Sequence, residues 1–170
     1  MEYIQKKQQI FTVILTNKTI QLSLLYLLLF SIPFILKGPQ ILLGSIINFL
    51  LIIGASQYRL KKVIPALLLP SIATYLYGML FGGATIFLLY LIPYIFISNF
   101  IYVFVFKTIK REYVNILLAS ILKALFLFAF AYLLYRTVGL PKIFLTSMGV
   151  IQLLTAIIGG GVASRIVKTS

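Results

Sequence analysis

The stretch VNILLASILKALFLFAFAYLLY, from Val114 to Tyr135, decides the class of fold. It contains one charged residue, Lys123, and neither proline nor glycine. A helix needs about 20 predominantly apolar residues to cross the hydrocarbon core of a bilayer. The stretch therefore predicts a transmembrane α-helix.

The rest of the chain shares this composition. Of the 170 residues, 62% are hydrophobic and 10% are charged, whereas soluble domains are about 45–50% apolar and about 25% charged. Lipid can solvate such a surface and water cannot. We therefore predict an all-α integral membrane protein that forms a single membrane domain over residues 1–170.

The same apolar pattern recurs on both sides of the first stretch and predicts a bundle of six transmembrane helices. Their predicted bounds are 20–36, 41–57, 63–81, 84–106, 114–135 and 144–166. Only Gly82 and Gly83 separate the third span from the fourth, so one broken, re-entrant unit is the alternative there. Residues 1–19 are interpreted as a cytoplasmic or interfacial segment, either a short amphipathic helix on the membrane or a frayed tail.

The basic residues predict the orientation of the bundle. The net charge is +13, from 15 Lys and Arg against Glu2 and Glu112. With the N-terminus in the cytoplasm, only Lys37, Arg136 and Lys142 fall in external loops. An excess of Lys and Arg marks cytoplasmic loops, so both ends are predicted to be cytoplasmic. The charge is assigned to orientation and to anionic membrane lipid, not to nucleic acid.

The residue types that the sequence lacks narrow the function. There is no Cys and no His, and neither acid lies in a predicted span. Thiolate chemistry, the usual zinc sites and an intramembrane proton relay are therefore excluded. Two acids cannot build a two-metal site, and no Walker A loop is present. We expect no enzyme activity, no metal site and no cofactor.

Lys123 is the most informative candidate residue. It follows Val114 by nine positions, which places it about 13 Å into the span. A Lys at that depth costs roughly 2.5–3.5 kcal/mol, and no carboxylate lies in any predicted span to pair with it. We interpret Lys123 as the recognition group for an anionic or carbonyl-bearing solute. The alternative is a Lys that snorkels or forms hydrogen bonds only for structure.

Further candidates are polar residues whose helical spacing turns them inward. Amides suit a polar ligand, although they also hold helices together. The predicted substrate-binding residues beside Lys123 are Asn48, Gln152, Tyr94, Thr74 and Thr155. Asn99 is interpreted as structural because it lies nearer the cytoplasmic end of its span.

Small residues predict close helix contacts, either within the chain or with a partner protein. The residues predicted to contact a partner protein are Gly44, Ala55, Gly159, Gly160 and Ala163.

Four stretches of the chain are similar to a known family. They are GPQILLGSIINFLL (Gly38–Leu51), IPYIFISNFIYVFVF (Ile92–Phe106), ASILKALFLFAFAYLL (Ala119–Leu134) and MGVIQLLTAIIGGGVA (Met148–Ala163). In this pattern the chain resembles the substrate-binding S component of energy-coupling factor (ECF) transporters, in a branch of unassigned substrate.

The resemblance implies a function and partners. It implies six spans in a prokaryotic cytoplasmic membrane and binding of a vitamin or similar micronutrient from the external side. It also implies a membrane coupling subunit and two cytosolic ATPases as partners. The chain departs from the family in two ways. Its first span has no AxxxA-like pair, and its lack of His excludes nickel or cobalt as the solute.

The alternative function is a non-transporting scaffold or assembly subunit of a larger membrane complex. Lys123 would then pair with a partner protein. The two functions predict different surroundings for this residue. A binding protein needs a polar-lined cavity around Lys123 in the outer half of the bundle, whereas a scaffold would be filled there by Leu and Phe.

Overall fold

The computed structural model describes residue 7 and residues 16–36, 39–78, 81–111 and 113–168. These residues form helices and short connections, and no strand occurs among them. The prediction of an all-α protein is confirmed. Most of the predicted N-terminal segment 1–19 lies outside the described residues, as do Gly38 and Glu112.

The helices follow one another with short connections. In chain order they are α1 (Lys18–Ile35), α2 (Gln40–Gln57), α3 (Leu60–Val63), α4 (Leu69–Tyr77), α5 (Leu88–Thr108), α6 (Val114–Thr137), α7 (Ile143–Thr146) and α8 (Gln152–Lys168). Two 3-10 turns, Ile64–Leu67 and Gly82–Phe87, precede α4 and α5, and a π-helical turn, Ser147–Ile151, joins α7 to α8.

Five helical stretches are long and apolar enough to cross a membrane, which makes this a multi-pass membrane protein. They are Lys18–Ile35, Gln40–Gln57, Gly82–Thr108, Val114–Thr137 and Ile143–Val167. These stretches correspond to the first, second, fourth, fifth and sixth predicted spans.

The third predicted span, 63–81, differs from a single long helix. The chain there forms α3, a 3-10 turn and α4, and Gly78 ends α4 with a left-handed φ of 71°. Pro65 and Pro70 each lack a backbone N–H and disfavour a continuous ladder of helical hydrogen bonds. We call residues 60–77 the broken element. Its α4 part packs against α1 and α5.

The closest packing joins α2 to α8. A Cβ on Gly159 would lie 2.8 Å from the backbone nitrogen of Phe49 and 3.0 Å from the Cβ of Asn48. Only glycine lets the two backbones approach this closely. One turn nearer the start of α2, Gly44 faces Thr155, and a Cβ on Gly44 would lie 2.9 Å from the Thr155 Cγ2. The small-residue stripe of α8 thus serves a contact within the chain.

The two ends of the bundle differ in charge. We call the end where α1 begins the basic end, because exposed Lys and Arg side chains gather there: Lys18, Arg59, Lys61, Lys62, Lys107, Lys110, Arg111 and Arg165. We call the other end, with Pro39, Gly78 and Gly139, the far end. Its exposed basic residues among those described are Arg136 and Lys142.

A group of buried side chains packs between α2, α5, α6 and α8 toward the basic end. We call it the inner cluster; its buried members are Ile52, Tyr102, Ile116, Ala119, Ala156 and Ala163. The Tyr102 hydroxyl, fully buried, donates a hydrogen bond of 2.7 Å to the carbonyl of Ala156. Such a bond satisfies a polar atom that would otherwise be costly to bury.

Candidate functional site

A cavity of about 70 Å³ lies between α2, α4, α5, α6 and the start of α8. It begins at Gln40, the first residue of α2, and reaches Lys123 in the middle of α6. Its polar lining consists of Gln40, Asn48, Ser71, Thr74, Asn99, Lys123 and Gln152. The cavity therefore runs from the far end to the middle of the bundle.

Lys123 is buried at the deep end of this cavity, with 2% of its surface exposed. Its Nζ donates hydrogen bonds to Asn48 Oδ1 at 2.6 Å and to Asn99 Oδ1 at 2.8 Å. The same atom lies 4.9 Å from the centre of the Tyr102 ring, which is within cation–π distance. Every group that holds the ammonium among the described residues is formally neutral.

Both asparagine amides are held with their oxygens toward Lys123. The Nδ2 of Asn48 donates to Thr155 Oγ1 at 3.2 Å, and the Nδ2 of Asn99 donates to the Leu67 carbonyl at 2.9 Å. Because each amide nitrogen has its own acceptor, each oxygen is left to accept from the ammonium. The cluster is thus preorganised around a positive charge.

The broken element contributes directly to this arrangement. Leu67 ends the 3-10 turn, where the helical hydrogen-bond pattern is interrupted. Its carbonyl accepts from the buried Asn99 side chain of the adjacent α5. Irregular backbone at membrane depth is tolerated where protein groups satisfy it. The proline-containing sequence of this element therefore helps to orient Asn99.

The structure brings together most of the predicted binding residues. Lys123, Asn48, Gln152 and Thr74 line the cavity. Thr155 lies behind Asn48, and its hydroxyl oxygen accepts a hydrogen bond from the Asn48 amide. Tyr94 does not line the cavity; its ring stacks on Phe130 with 4.4 Å between centroids.

Asn99 is the main residue that sequence reasoning placed outside the site. The depth of Asn99 along its helix is a sequence signal that could have placed this residue in the site. Asn48 and Asn99 precede the ends of their helices, Gln57 and Thr108, by nine positions, and Lys123 follows Val114 by nine. All three therefore lie about 13 Å from the basic end at 1.5 Å per residue. The predicted fourth span ended at 106, two residues too early, and this moved Asn99 away from the level of Lys123.

The residues predicted to make close helix contacts lie inside the bundle. Ala55 and Ala163 are fully buried. Gly44 and Gly159 lie in the contact between α2 and α8, and a Cβ on Gly160 would meet Tyr102 and Ile116. Of the two alternatives, contact within the chain is therefore the one that these five residues make in this structure.

The cavity does not continue to the basic end. Ile52 lies one helical turn beyond Asn48, and Tyr102 lies three residues beyond Asn99. Both side chains are fully buried in the inner cluster. A solute held near Lys123 could therefore leave toward the basic end only if helices moved apart.

The side chains of the site are suited to binding a solute through charge and hydrogen bonds. The lining holds one ammonium, several amides and two hydroxyls, which can bind an anion or a polar neutral group. Among the described residues there is no group of three or more His, Cys, Asp or Glu that could hold a metal ion. No protein-family model, curated protein or solved structure significantly matches the chain.

Proposed function

We propose that this chain is the membrane-embedded substrate-binding component of an ECF-type micronutrient uptake transporter, binding a small organic solute from the external side. The observation that carries the proposal is the polar-lined cavity with Lys123 at its deep end. A chain that served only as a scaffold would gain by filling this space with apolar side chains, because an unfilled core costs stability.

The proposal includes six spans with both ends in the cytoplasm of a prokaryotic cell. The broken element, from Leu60 to Tyr77, would be the remaining span. Its length of about 27 Å at helical rise is close to the roughly 30 Å of the hydrocarbon core. The exposed Lys and Arg at the basic end support a cytoplasmic position for that end. The cavity would then begin on the external side.

Recognition of the solute is assigned to the cavity lining. Lys123 would bind a charged or carbonyl group, and Asn48 and Gln152 would provide or orient hydrogen bonds. Thr74 would face the solute from α4, and Thr155 would act by positioning Asn48, to which it is bonded. Tyr94 is left out of the proposed contacts because its ring stacks on Phe130 away from the cavity.

Transport would need partners. Ile52 and Tyr102 are fully buried between the cavity and the basic end, so release in that direction would need helices to move apart. An ECF coupling subunit and two cytosolic ATPases would supply the movement and the energy that release the solute. Anionic membrane lipid would contact the exposed basic residues around the same end.

One observation favours the alternative, a scaffold or assembly subunit. The cavity of about 70 Å³ is smaller than the roughly 300–1,000 Å³ of typical ligand sites. In addition, Lys123 already has two hydrogen bonds to neighbouring helices. Under the transporter proposal, the cavity has to widen to admit a solute of ordinary size.

The test is native mass spectrometry of detergent-purified protein from its own host, comparing the wild type with Lys123→Met. The matched control is Lys107→Met. Lys107 also donates to two protein oxygens, the carbonyls of Ala55 and Tyr58, but it lies at the basic end outside the cavity. We expect a discrete small-molecule adduct on the wild type and on Lys107→Met, and its loss from Lys123→Met.

An unliganded mass for all three proteins, unchanged by a panel of micronutrients, would reject the transporter proposal in favour of the scaffold. An adduct that Lys123→Met retains would show that the solute binds outside this cavity.

A further inference from the structure

We infer that the solute is a small monocarboxylate that carries hydroxyl or neutral N–H donors, with its carboxylate at Lys123 and its donors toward α4. This inference rests on the proposed function and specifies the substrate class of the same cavity. Three features of the lining lead to it: an uncompensated charge, a wall that offers only acceptors, and the size of the space.

The charge argument starts from the neutral surroundings of Lys123. Two amide oxygens and an aromatic ring hold its ammonium, and the chain's only acids, Glu2 and Glu112, lie outside the described residues. Buried charges are ordinarily paired with an opposite charge. A ligand carboxylate would supply that missing charge, whereas a neutral carbonyl would only compete with Asn48 and Asn99 for the same ammonium hydrogens.

The cavity suits a single negative charge. Lys123 is the only Lys or Arg in its described lining. Phosphate groups are typically held by several cationic or backbone N–H donors, often at a helix N-terminus. One ammonium matches one carboxylate better than it matches a dianion.

The wall formed by α4 offers acceptors only. The Ser71 hydroxyl donates to the Leu68 carbonyl at 2.9 Å, and the Thr74 hydroxyl donates to the Pro70 carbonyl at 2.7 Å. A hydroxyl has one hydrogen, so these two side chains present only lone pairs to the cavity. While both backbone hydrogen bonds are kept, a ligand group opposite these hydroxyls donates to them, as a hydroxyl or an N–H does.

The donor is expected to be neutral. A ligand ammonium would place a second positive charge in a lining that contains Lys123 and no acid among the described residues. This argument favours a hydroxycarboxylate or an amide-bearing carboxylate over a zwitterionic amino acid.

Size limits the part of the solute that the cavity holds. The volume of about 70 Å³ is small, because one water molecule in the liquid occupies roughly 30 Å³. A solute larger than this space would insert only its carboxylate end. Leu43, Leu88 and Met148 supply apolar contacts beside the polar groups.

The test uses four probes on ligand-free wild-type protein in detergent, with binding measured by isothermal titration calorimetry. Glycerate has the carboxylate and two hydroxyls. Glyceramide replaces the charge with a neutral amide, propionate removes the hydroxyls, and serine replaces one hydroxyl with an ammonium. We expect glycerate to bind about 10–100-fold more tightly than glyceramide, because a charged hydrogen bond is lost, and more tightly than propionate and serine.

Variants locate the two ends of the probe. Ser71→Ala is expected to weaken glycerate about 3–10-fold and to leave propionate unchanged, since only glycerate has a hydroxyl to donate. Lys123→Met is expected to abolish the preference for glycerate over glyceramide, and Lys107→Met to keep it. The comparison of probes on the wild type does not depend on the folding of any variant.

The failure of this inference can be told apart from the failure of the proposed function. Equal binding of glyceramide, or a native adduct that proves neutral or cationic, overturns the carboxylate part of the inference and leaves a binding protein. Equal binding of propionate or serine overturns the part that requires neutral donors. A native adduct that proves to be a hydroxylated or amide-bearing monocarboxylate supports the inference even if glycerate itself binds too weakly to detect. The absence of any adduct together with the absence of probe binding overturns both.

Discussion

Along α2, α5, α6 and α8, the polar cavity in the far half gives way to the closely packed inner cluster in the basic half. The change occurs over a single helical turn: Asn48 is followed by Ile52 on α2, and Ala119 precedes Lys123 on α6. The far half is not open throughout, because Leu91, Leu127 and Phe144 belong to a packed apolar group beside the cavity. The comparison shows that the same helices can line a polar cavity in one half of the bundle and pack closely in the other half.

Two glycines are used differently in the contact between α2 and α8. Gly159 lets α8 touch the backbone of α2 at Phe49, next to the cavity-lining Asn48. Gly44 faces Thr155 one turn nearer the far end, where a Cβ would lie 2.9 Å from the Thr155 Cγ2. Gly159 thus brings two backbones together at the boundary between the halves, whereas Gly44 leaves room for the Thr155 side chain that is hydrogen-bonded to Asn48.

The largest effect is expected at Gly159, where α8 meets the backbone of α2 at the boundary between the two halves. Gly159→Ala would place a methyl group 2.8 Å from a backbone nitrogen of α2, and backbone cannot move aside as a side chain can. We expect a loss of about 3 kcal/mol in the free energy of unfolding, measured by denaturant unfolding in detergent micelles.

The control lies two residues away in the same helix. A Cβ on Gly161 would meet no atom within 4 Å, so Gly161→Ala should be neutral or stabilising by up to about 1 kcal/mol through helix propensity. Equal destabilisation by both substitutions would show that the contact between α2 and α8 is not the cause.

The next largest effect is expected from breaking the polar half at Asn99. Asn99→Leu would remove one of the two oxygens that hold Lys123 and would leave the Leu67 carbonyl without its side-chain donor. We expect a loss of about 2 kcal/mol in the same unfolding assay, together with weaker solute binding. Ile97→Leu, a substitution at a lipid-exposed position of α5, is the control and should change neither.

A smaller effect is expected at Tyr102, which sharpens the comparison because it lies just beyond the cavity. Tyr102→Phe would keep the ring near Lys123 and remove the hydrogen bond to the Ala156 carbonyl. We expect a loss of about 1 kcal/mol in stability and solute affinity within about twofold of the wild type. A large loss of affinity, measured by calorimetry, would extend the site into the inner cluster.

The smallest change in stability is expected at Gln152. Its side chain lines the cavity and has no hydrogen bond within the described part of the chain, so Gln152→Leu should alter unfolding by no more than about 0.5 kcal/mol. Solute binding should weaken about 3–10-fold if the amide contacts the solute. Unchanged affinity would remove Gln152 from the proposed site.

Much of the fold could be predicted from the sequence because the bilayer constrains each segment separately. A spanning helix must be apolar and long enough whatever its neighbours are. Five of the predicted spans accordingly appear as long apolar helices, and the six-span count with both ends in the cytoplasm stays a prediction. Lys123 stood out for the same local reason, as the charged residue within a predicted span.

The site was predicted less completely because it depends on depth and facing between helices. Asn99 joined Lys123 only when the true end of α5, Thr108, set the two residues at one level. Tyr94 was expected at the site and instead packs on Phe130. Hydropathy does not report which side of a helix meets which neighbour.

The sequence by itself determined that the chain is an α-helical membrane protein with a buried cation and no acid in any predicted span, because composition and length settle these properties residue by residue. Only the tertiary structure decided that α3 and α4 form a broken element, that the small residues of α8 face α2, and that two amides hold Lys123 at the base of a cavity. These features arise where helices meet, and the free energy of such contacts depends on shape and partner atoms that no single segment encodes.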